Sequence, residues 1–236
     1  MKRLLFFLFP VLVISLFLIS CNEDDQEHTG FCDAMIIVRT VGPQTLYGLN
    51  LHLFSLNPVS SVTATAKEQP SATFELSAFQ NLSTEFMYET PVNLFSSGLP
   101  QTGDYYFKVK FSNGDTLTYT DNLSKETVLP PGIVKCNFKP AEKEIELEWS
   151  KVENASFYNI KLFDSKGVAV FVSPLFVTSY TSYTFGTGTQ GWQVTKYPEN
   201  NSVMTVEVTS YLLESSGELT DYQSAGRSVA TVVWGS

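Results

Sequence analysis

Histidine and cysteine, the side chains on which metal sites and nucleophilic catalysis most often depend, are scarce in this chain. There are two histidines, His28 and His52, and three cysteines, none of them in a His-x-x-x-His or Cys-x-x-Cys spacing. The sequence therefore offers no ligand set for zinc. A Ser-His-Asp triad would have to use His52, yet no strand–turn–helix pattern supplies its nucleophile. These absences predict a protein that is not an enzyme and that holds no metal or cofactor.

Basic residues are also few. The chain has 15 Lys and Arg against 24 Asp and Glu, which gives a formal net charge of −9. An acidic surface repels phosphate backbones and anionic lipids, so nucleic acid is not an expected partner. The glycine-rich run Phe185–Gly191 opens a loop in an all-β context. It does not lead into a helix, so it predicts a flexible segment and not a phosphate cradle.

The acidic residues form one regular pattern. Glu142, Glu144, Glu146 and Glu148 follow one another at two-residue intervals, which places all four side chains on one face of a strand. Two carboxylates at a suitable separation could hydrolyse a glycosidic bond. Nothing around them indicates the apolar pocket that would raise the pKa of one carboxyl group. The row is therefore interpreted as the solvated outer face of a strand.

The first 20 residues have the layout of a secretory leader. Two basic residues precede the apolar stretch Leu4–Ile19, which falls short of the roughly 20 residues that a bilayer span needs. Leu18-Ile19-Ser20-Cys21 then resembles a bacterial lipobox, whose cysteine is diacylated and becomes the N-terminus after cleavage. The resemblance implies a lipoprotein signal peptide over 1–20 and lipidation of Cys21, with the membrane as a partner through the acyl anchor. An ordinary signal peptide with an incidental cysteine is the alternative.

A short acidic run, Asn22–Glu27, comes directly after this cysteine. Such a run cannot bury apolar area, so residues 21–33 are predicted to form a disordered acidic tether. The run resembles the export signal of surface lipoproteins of the Bacteroidota, which implies an outer-membrane location facing the cell exterior. A solvated spacer that holds the rest of the protein off the membrane is the alternative. Cleavage would leave a net charge of −11, because residues 1–20 carry two basic side chains and no acidic one.

From residue 34 onward the pattern is that of β-strands. Short runs of period-two alternation recur between Gly, Pro, Asn and Ser, and no apolar 3.6-residue period persists. The leucines within Leu49–Leu53 share one face, and Asn113-Gly114 marks a hairpin turn. The two prolines within Leu129–Gly132 cannot continue a strand ladder. They predict a boundary between an immunoglobulin-like β-sandwich over 34–129 and a second sandwich over 130–236.

The second half contains the more specific motif. Glu144–Trp149 alternates strictly, with its three apolar side chains facing one way. Together with Ala155 and Tyr158 this run resembles the B and C strands of fibronectin type III modules, in which a B-strand tryptophan packs on the core. The resemblance covers 130–236 and implies about seven strands. The predicted fold class is therefore all-β, with two tandem immunoglobulin-like or fibronectin type III-like β-sandwiches after a lipoprotein signal peptide.

Cys32 and Cys136 remain if Cys21 is acylated. Sandwiches stacked end to end would separate these two positions by roughly 30 Å, one sandwich length. A disulfide tolerates about 7 Å between Cα atoms. We therefore expect two free thiols, although an envelope location would permit a disulfide.

The candidate binding segment is the long loop Gly186–Asn201. It carries Trp192 and Tyr197, with Gln193 and Lys196 nearby. Exposed aromatic rings beside amides can stack on a sugar ring or fill a partner's pocket. The alternative is that Trp192 packs inward over the end of the sandwich.

These features together predict a lipid-anchored, non-catalytic binding or adhesion protein on the cell surface. Its β-sandwich domains would present loops or edge strands to a glycan, another envelope protein or a host protein. The alternative is a structural or spacer subunit of an outer-membrane protein complex.

Overall fold

The computed structural model describes residues 28–215 and 221–235, and nearly all of them lie in or between β-strands. The predicted signal peptide, Cys21 and residues 21–27 of the predicted tether lie outside the described residues. Two separate hydrophobic cores confirm the prediction of an all-β fold with two β-sandwiches. No helix in the described ranges is long and apolar enough to cross a membrane. The strands are β1 (Gly30–Val41), β2 (Gln44–Ser55), β3 (Val59–Ala66), β4 (Gln69–Ala78), β5 (Glu85–Glu89), β6 (Gly103–Phe111), β7 (Thr116–Leu123), β8 (Ile133–Lys139), β9 (Glu144–Trp149), β10 (Phe157–Phe163), β11 (Ala169–Val172), β12 (Phe176–Val177), β13 (Ser182–Gly186), β14 (Ser202–Leu213) and β15 (Tyr222–Trp234).

The first sandwich consists of β1 to β7, hydrogen-bonded in the order β1-β2-β5-β4-β3-β6-β7. Leu49, Leu51 and Leu53 of β2 all point into its core, as their alternation predicts. The last strand returns beside the first, where the Ala34 N–H donates a hydrogen bond to Asp121 Oδ2 at 2.7 Å. The strands therefore wrap around the core almost into a closed barrel.

The second sandwich consists of two facing sheets. One has the order β13-β9-β8 and the other β11-β10-β14-β15, with β12 beside β10. Ile145, Leu147 and Trp149 of β9 point into the core, which confirms the predicted alternation. Trp149 packs edge-on against Tyr158, with ring centroids 5.6 Å apart. This sandwich therefore has the fibronectin type III-like fold that the sequence resemblance implies.

A parallel strand pairing joins the two sandwiches. Ile36–Val38 of β1 pairs in parallel register with Ser224–Gly226 of β15. Each strand is the edge of its own sheet, so the pairing satisfies backbone groups that an edge leaves open. One sheet of twelve strands consequently runs through both sandwiches. The sandwiches are thus joined edge to edge and not end to end, an arrangement that the sequence left open.

The N-terminal part of the described chain is more ordered than the sequence predicted. β1 begins at Gly30, so residues 28–33 are not part of a disordered tether. The ring of His28 stacks on Phe111 with centroids 3.8 Å apart, and Cys32 packs against the first core. The acidic run Asn22–Glu27 contains no apolar residue that could pack in this way. Phe31 and Cys32, in contrast, are apolar residues at the start of β1.

The segment between the sandwiches packs against β15. The Ser124 hydroxyl donates to Gln223 Oε1 at 2.6 Å, and Gln223 Nε2 donates back to the Ser124 carbonyl at 3.2 Å. Leu123 lies in the first core and Val128 in the second. The chain thus enters the second sandwich before the prolines of Leu129–Gly132, from which the boundary was predicted.

Candidate functional site

Trp192, the central residue of the predicted binding loop, packs into the second sandwich. Its ring meets Phe171 and Trp234 edge-on, at centroid distances of 5.4 and 5.5 Å. Its indole N–H donates to the Gly186 carbonyl at 2.9 Å. Within the fold, the ring thus has aromatic neighbours and the indole N–H has a hydrogen-bond acceptor. The structure corrects the prediction of Trp192 as an exposed binding residue and agrees with the inward-packing alternative.

The other three predicted loop residues lie at the surface. Gln193 and Lys196 are exposed, and Tyr197 is 47% exposed. The Tyr197 hydroxyl donates to the Thr187 carbonyl, and its ring packs edge-on against Trp192 at 5.0 Å. The loop is therefore held by its own contacts, and Tyr197 is its most exposed aromatic residue.

His52 and Glu146, which the sequence offered as catalytic candidates, contact charged side chains of neighbouring strands. His52 Nε2 lies 2.9 Å from Glu85 Oε1 on the neighbouring strand. Glu146 accepts ion pairs from Lys135 at 2.8 Å and Lys139 at 3.2 Å. These lysines hold the pKa of the Glu146 carboxyl below its usual range. A glycosidase needs the opposite shift in its acid, so Glu146 does not have the raised pKa of such an acid.

The two described cysteines are free thiols, as expected. Cys32 packs against the first core and Cys136 against the second. Burial raises the pKa of Cys32 to about 12 and also raises the pKa of Cys136. Because the thiolate is the reactive form, neither cysteine resembles a nucleophile.

The junction between the sandwiches contains a row of partly buried charges. Arg227 of β15 donates from one guanidinium nitrogen to both carboxylate oxygens of Glu89 on β5, at 2.7 and 2.9 Å. The Asn50 amide donates to the same carboxylate at 3.2 Å. On the second sandwich, Lys161 lies opposite Glu207 in the strand register, and burial lowers the pKa of Lys161. The Arg227–Glu89 pair therefore connects the two sandwiches directly.

A cleft of about 330 Å³ opens beside this ion pair. Three valines on it, Val41, Val92 and Val229, are 57–62% exposed. The Arg39 guanidinium lies 5.4 Å from the ring centroid of Phe95, and its Nε finds no hydrogen-bond acceptor among the described residues. The cleft thus combines an apolar rim with a cationic group that can accept an anionic partner. The residues that line it are Arg39, Thr40, Val41, Val92, Ile133, Arg227, Ser228 and Val229.

Sequence reasoning missed this cleft. Its residues come from β1, a short turn after β5, the start of β8 and β15, so no local motif unites them. The one signal in the sequence was the pair Val41 and Val229, at strand positions that the alternation places on the outer face. That signal is weak, since single exposed apolar residues are common on protein surfaces.

Comparison with known proteins gives only distant similarities. No protein-family model and no curated protein matches the chain. Among solved structures it is similar to the BSP domain of a biofilm-associated protein, with 12% identity over 86% of this chain and 29% of that one, at a TM-score of 0.25. A segment of two fibronectin type III domains from chicken tenascin shows 11% identity over 77% of this chain and 91% of that one, at a TM-score of 0.28. The 47-kilodalton lipoprotein of Treponema pallidum shows 10% identity over 84% of this chain and 50% of that one, at a TM-score of 0.37.

The chain thus spans less than a third of the biofilm-associated structure and half of the treponemal one. At these identities and scores, no ligand or activity follows from the similarities. The strand order and the two cores define the class instead: an all-β protein of two fused β-sandwiches, the second of them fibronectin type III-like.

Proposed function

We propose that this protein is a lipid-anchored, non-catalytic binding protein of the bacterial cell surface, and that it holds a protein partner in the cleft between its sandwiches. The proposed binding role rests on the environment of Arg39. Its guanidinium packs over Phe95 and lines the cleft, and it forms no ion pair with the described residues. Arginine is one of the residue types that are enriched at binding hot spots.

The chemistry of the cleft favours a protein segment that carries both an apolar and an acidic side chain. Arg227 is already paired with Glu89, so Arg39 is the cation that would meet a partner's carboxylate. The exposed valines would bury apolar side chains of the same partner. A sugar ring would need an aromatic platform, and none of the residues lining the cleft is aromatic.

A glycan partner is therefore assigned to a different surface, the loop that carries Tyr197. Gln193 and Lys196 lie near this half-exposed ring. This makes the two kinds of partner separable by mutation, because the cleft and the loop share no residue.

The membrane anchor rests on the leader and the lipobox resemblance at Leu18-Ile19-Ser20-Cys21. Each buried methylene of an acyl chain contributes about 0.8 kcal/mol, so two chains or more on one cysteine make a durable anchor. The test compares wild type with Cys21→Ala by membrane fractionation and by external protease treatment of intact cells. We expect wild type in the membrane fraction and cleaved from outside, and the variant released or mislocalised. A wild-type protein that is soluble or protected from protease would contradict the surface display.

The binding role is tested by cross-linking on intact cells followed by mass spectrometry. Arg39→Gln and Val229→Asp should each remove a cross-linked partner that wild type retains. Val203→Asp is the matched control, because Val203 is 53% exposed on the same sheet, against 57% for Val229, and lies outside the cleft. Loss of the partner with Tyr197→Ala, and not with the cleft variants, would contradict the cleft and favour a glycan site at the loop.

The alternative role, a structural spacer in an outer-membrane complex, is favoured by the shared sheet. Pairing of β1 with β15 makes a stiff arm of two sandwiches. A stoichiometric complex that survives both cleft variants would support this role over reversible capture.

A further inference from the structure

Three carboxylates, those of Asp121, Glu214 and Asp221, meet where the two sandwiches join, and the carboxyl group of Asp33 interacts electrostatically with all three. Asp121 lies on β7 and Asp33 on β1, both in the first sandwich. Glu214 follows β14 and Asp221 precedes β15, and the Glu214 N–H donates to the Asp221 carbonyl at 3.0 Å. One carboxylate oxygen from each of Asp121, Glu214 and Asp221 lies within 4.8 Å of the other two. Both sandwiches thus contribute acidic side chains to one place.

Asp33 supplies a second and independent observation. It is only 2% exposed, and its Oδ1 accepts a hydrogen bond from the Tyr222 N–H at 2.8 Å. Its Oδ2 is buried and accepts no hydrogen bond from the described residues, and the same is true of Glu214 Oε1. Burying a carboxylate oxygen without a partner is costly. No donor in the described ranges reaches these two oxygens, so a proton or a bound cation is left to satisfy them.

The electrostatics of the cluster point the same way. Burial is the main cause of a raised pKa at Asp33, Asp121 and Glu214. The pKa of Glu214 rises to about 7. Mutual repulsion of the carboxylates adds to each shift, and at Asp33 and Asp121 only backbone N–H groups oppose it. An arrangement in which carboxylates repel one another in a partly buried space is unfavourable unless protons or a cation offset the repulsion.

We propose that Asp121, Glu214 and Asp221 bind a divalent cation of the calcium class at the junction, with Asp33 completing the acidic wall. Calcium binds oxygen ligands at 2.3–2.6 Å, so two ligands of one ion lie at most about 5 Å apart. The three carboxylates meet this limit. Magnesium requires near-ideal octahedral geometry, whereas calcium accepts the irregular arrangements that strand ends and loops supply. Among the described residues the group consists of carboxylates alone, a ligand set that disfavours zinc and copper relative to calcium.

Such an ion would act as a clamp between the sandwiches. It would tie Asp121 near the end of β7 to Glu214 after β14 and Asp221 before β15, next to the parallel pairing of β1 with β15. The site is independent of the proposed binding cleft, which shares no residue with it. Its test therefore does not depend on the identity of any partner.

The experiment uses the full chain in non-ionic detergent, with calcium or EDTA as the only difference. We expect about 10 mM Ca²⁺ to raise the melting temperature by about 5–10 °C, for a dissociation constant near the 10⁻⁴ M typical of extracellular calcium modules. Tb³⁺ should show luminescence sensitised by tyrosine, because Tyr222 adjoins the site. Excess Ca²⁺ should quench it.

The test variant is Asp121→Asn combined with Glu214→Gln. It should lose both the calcium-dependent shift and the Tb³⁺ signal. In EDTA its melting temperature should equal or exceed that of wild type, because repulsion is relieved, which separates loss of metal binding from loss of the fold. Glu142→Gln combined with Glu153→Gln removes the same charge from exposed positions and should keep the calcium response. A wild-type chain that ignores both ions, or a test variant that keeps its response, would overturn the proposal.

Discussion

Ile37 of β1 lies directly opposite Ala225 of β15 in parallel register, and both residues are fully buried. The first strand of one sandwich, β1, therefore pairs with the open edge of β15, the last strand of the other. Edge strands that pair in this way expose fewer open backbone groups than two separate domains would. The stability of each sandwich consequently depends on the other.

The first prediction concerns Gly226, which pairs with Val38 across the junction. A Cβ added there would lie 2.5 Å from the Leu129 carbonyl carbon and oxygen and 2.6 Å from the Pro130 nitrogen. Backbone atoms cannot yield as a flexible side chain can, so Gly226→Ala should destabilise the protein by about 1–3 kcal/mol. The measurement is the urea midpoint of unfolding. Gly188→Ala is the control, since a Cβ at that loop position meets nothing within 4 Å.

The second prediction concerns the ion pair of Arg227 with Glu89. Their side chains are 15% and 22% exposed, so removing one charge leaves the other without its partner in a largely dry place. Glu89→Gln should therefore lower the free energy of unfolding by about 2 kcal/mol. A double-mutant cycle with Arg227→Gln should give a clear coupling energy. If the two substitutions were additive, the pair would not hold the sandwiches together.

A matched control for this cycle is the exposed pair of Lys67 with Asp104, whose charged atoms are 3.0 Å apart. Water and salt screen such a pair, so we expect Asp104→Asn to have no measurable effect on stability. Raising the salt concentration should also affect the buried pair less than the exposed one.

The third prediction separates packing from binding in the loop after β13. Trp192→Ala removes a ring that contacts Phe171 and Trp234, so it should cost about 3 kcal/mol of stability. Lys196→Ala, in the same loop, should stay within about 0.5 kcal/mol of wild type. Thermal unfolding followed by circular dichroism distinguishes the two. A fully stable Trp192→Ala protein would show that the tryptophan contributes little to the core.

The fourth prediction concerns the thiols. Cys32 and Cys136 are free, and burial raises the pKa of the Cys136 thiol, so the thiolate is scarce at about pH 8. Both should react slowly with a disulfide reagent in the native protein and fast in denaturant. Protein isolated from its native membrane should release two reactive thiols on denaturation, and three would mean that Cys21 is not acylated.

Much of the fold could be predicted from sequence because alternation is a local property. Leu49, Leu51 and Leu53 face one core, and Ile145, Leu147 and Trp149 face the other, as period two requires. Trp192 shows the limit of this reasoning. Composition marks its loop as long and aromatic, but only the gap beside Phe171 and Trp234 determines that the ring turns inward.

The junction could not be predicted, because its contacts link residues far apart in the chain. The bond from the Tyr222 N–H to Asp33 spans 189 positions, and the pairing of β1 with β15 covers only three residues on each strand. Neither leaves a spacing that a motif search can detect. The cleft around Arg39 and the carboxylates around Asp121 depend on this junction, so they escaped sequence reasoning for the same reason.

The most direct test of the account is a cysteine cross-link across the junction, because both the cleft and the carboxylate cluster require the shared sheet. Ile37→Cys and Ala225→Cys are combined in a chain whose native cysteines are replaced by serine. Paired strands lie about 4.8 Å apart, within the Cα separation that a disulfide accepts. We predict that mild oxidation converts the folded variant into a faster-migrating band on non-reducing gels.

Ile37→Cys combined with Thr209→Cys is the control, because Thr209 lies on β14, which pairs with the far side of β15. This pair is two strands apart and should not cross-link. Efficient cross-linking of the first pair alone is the result that the account predicts. A folded Ile37→Cys, Ala225→Cys protein that remains reduced would contradict the shared sheet, and with it the cleft and the cation site.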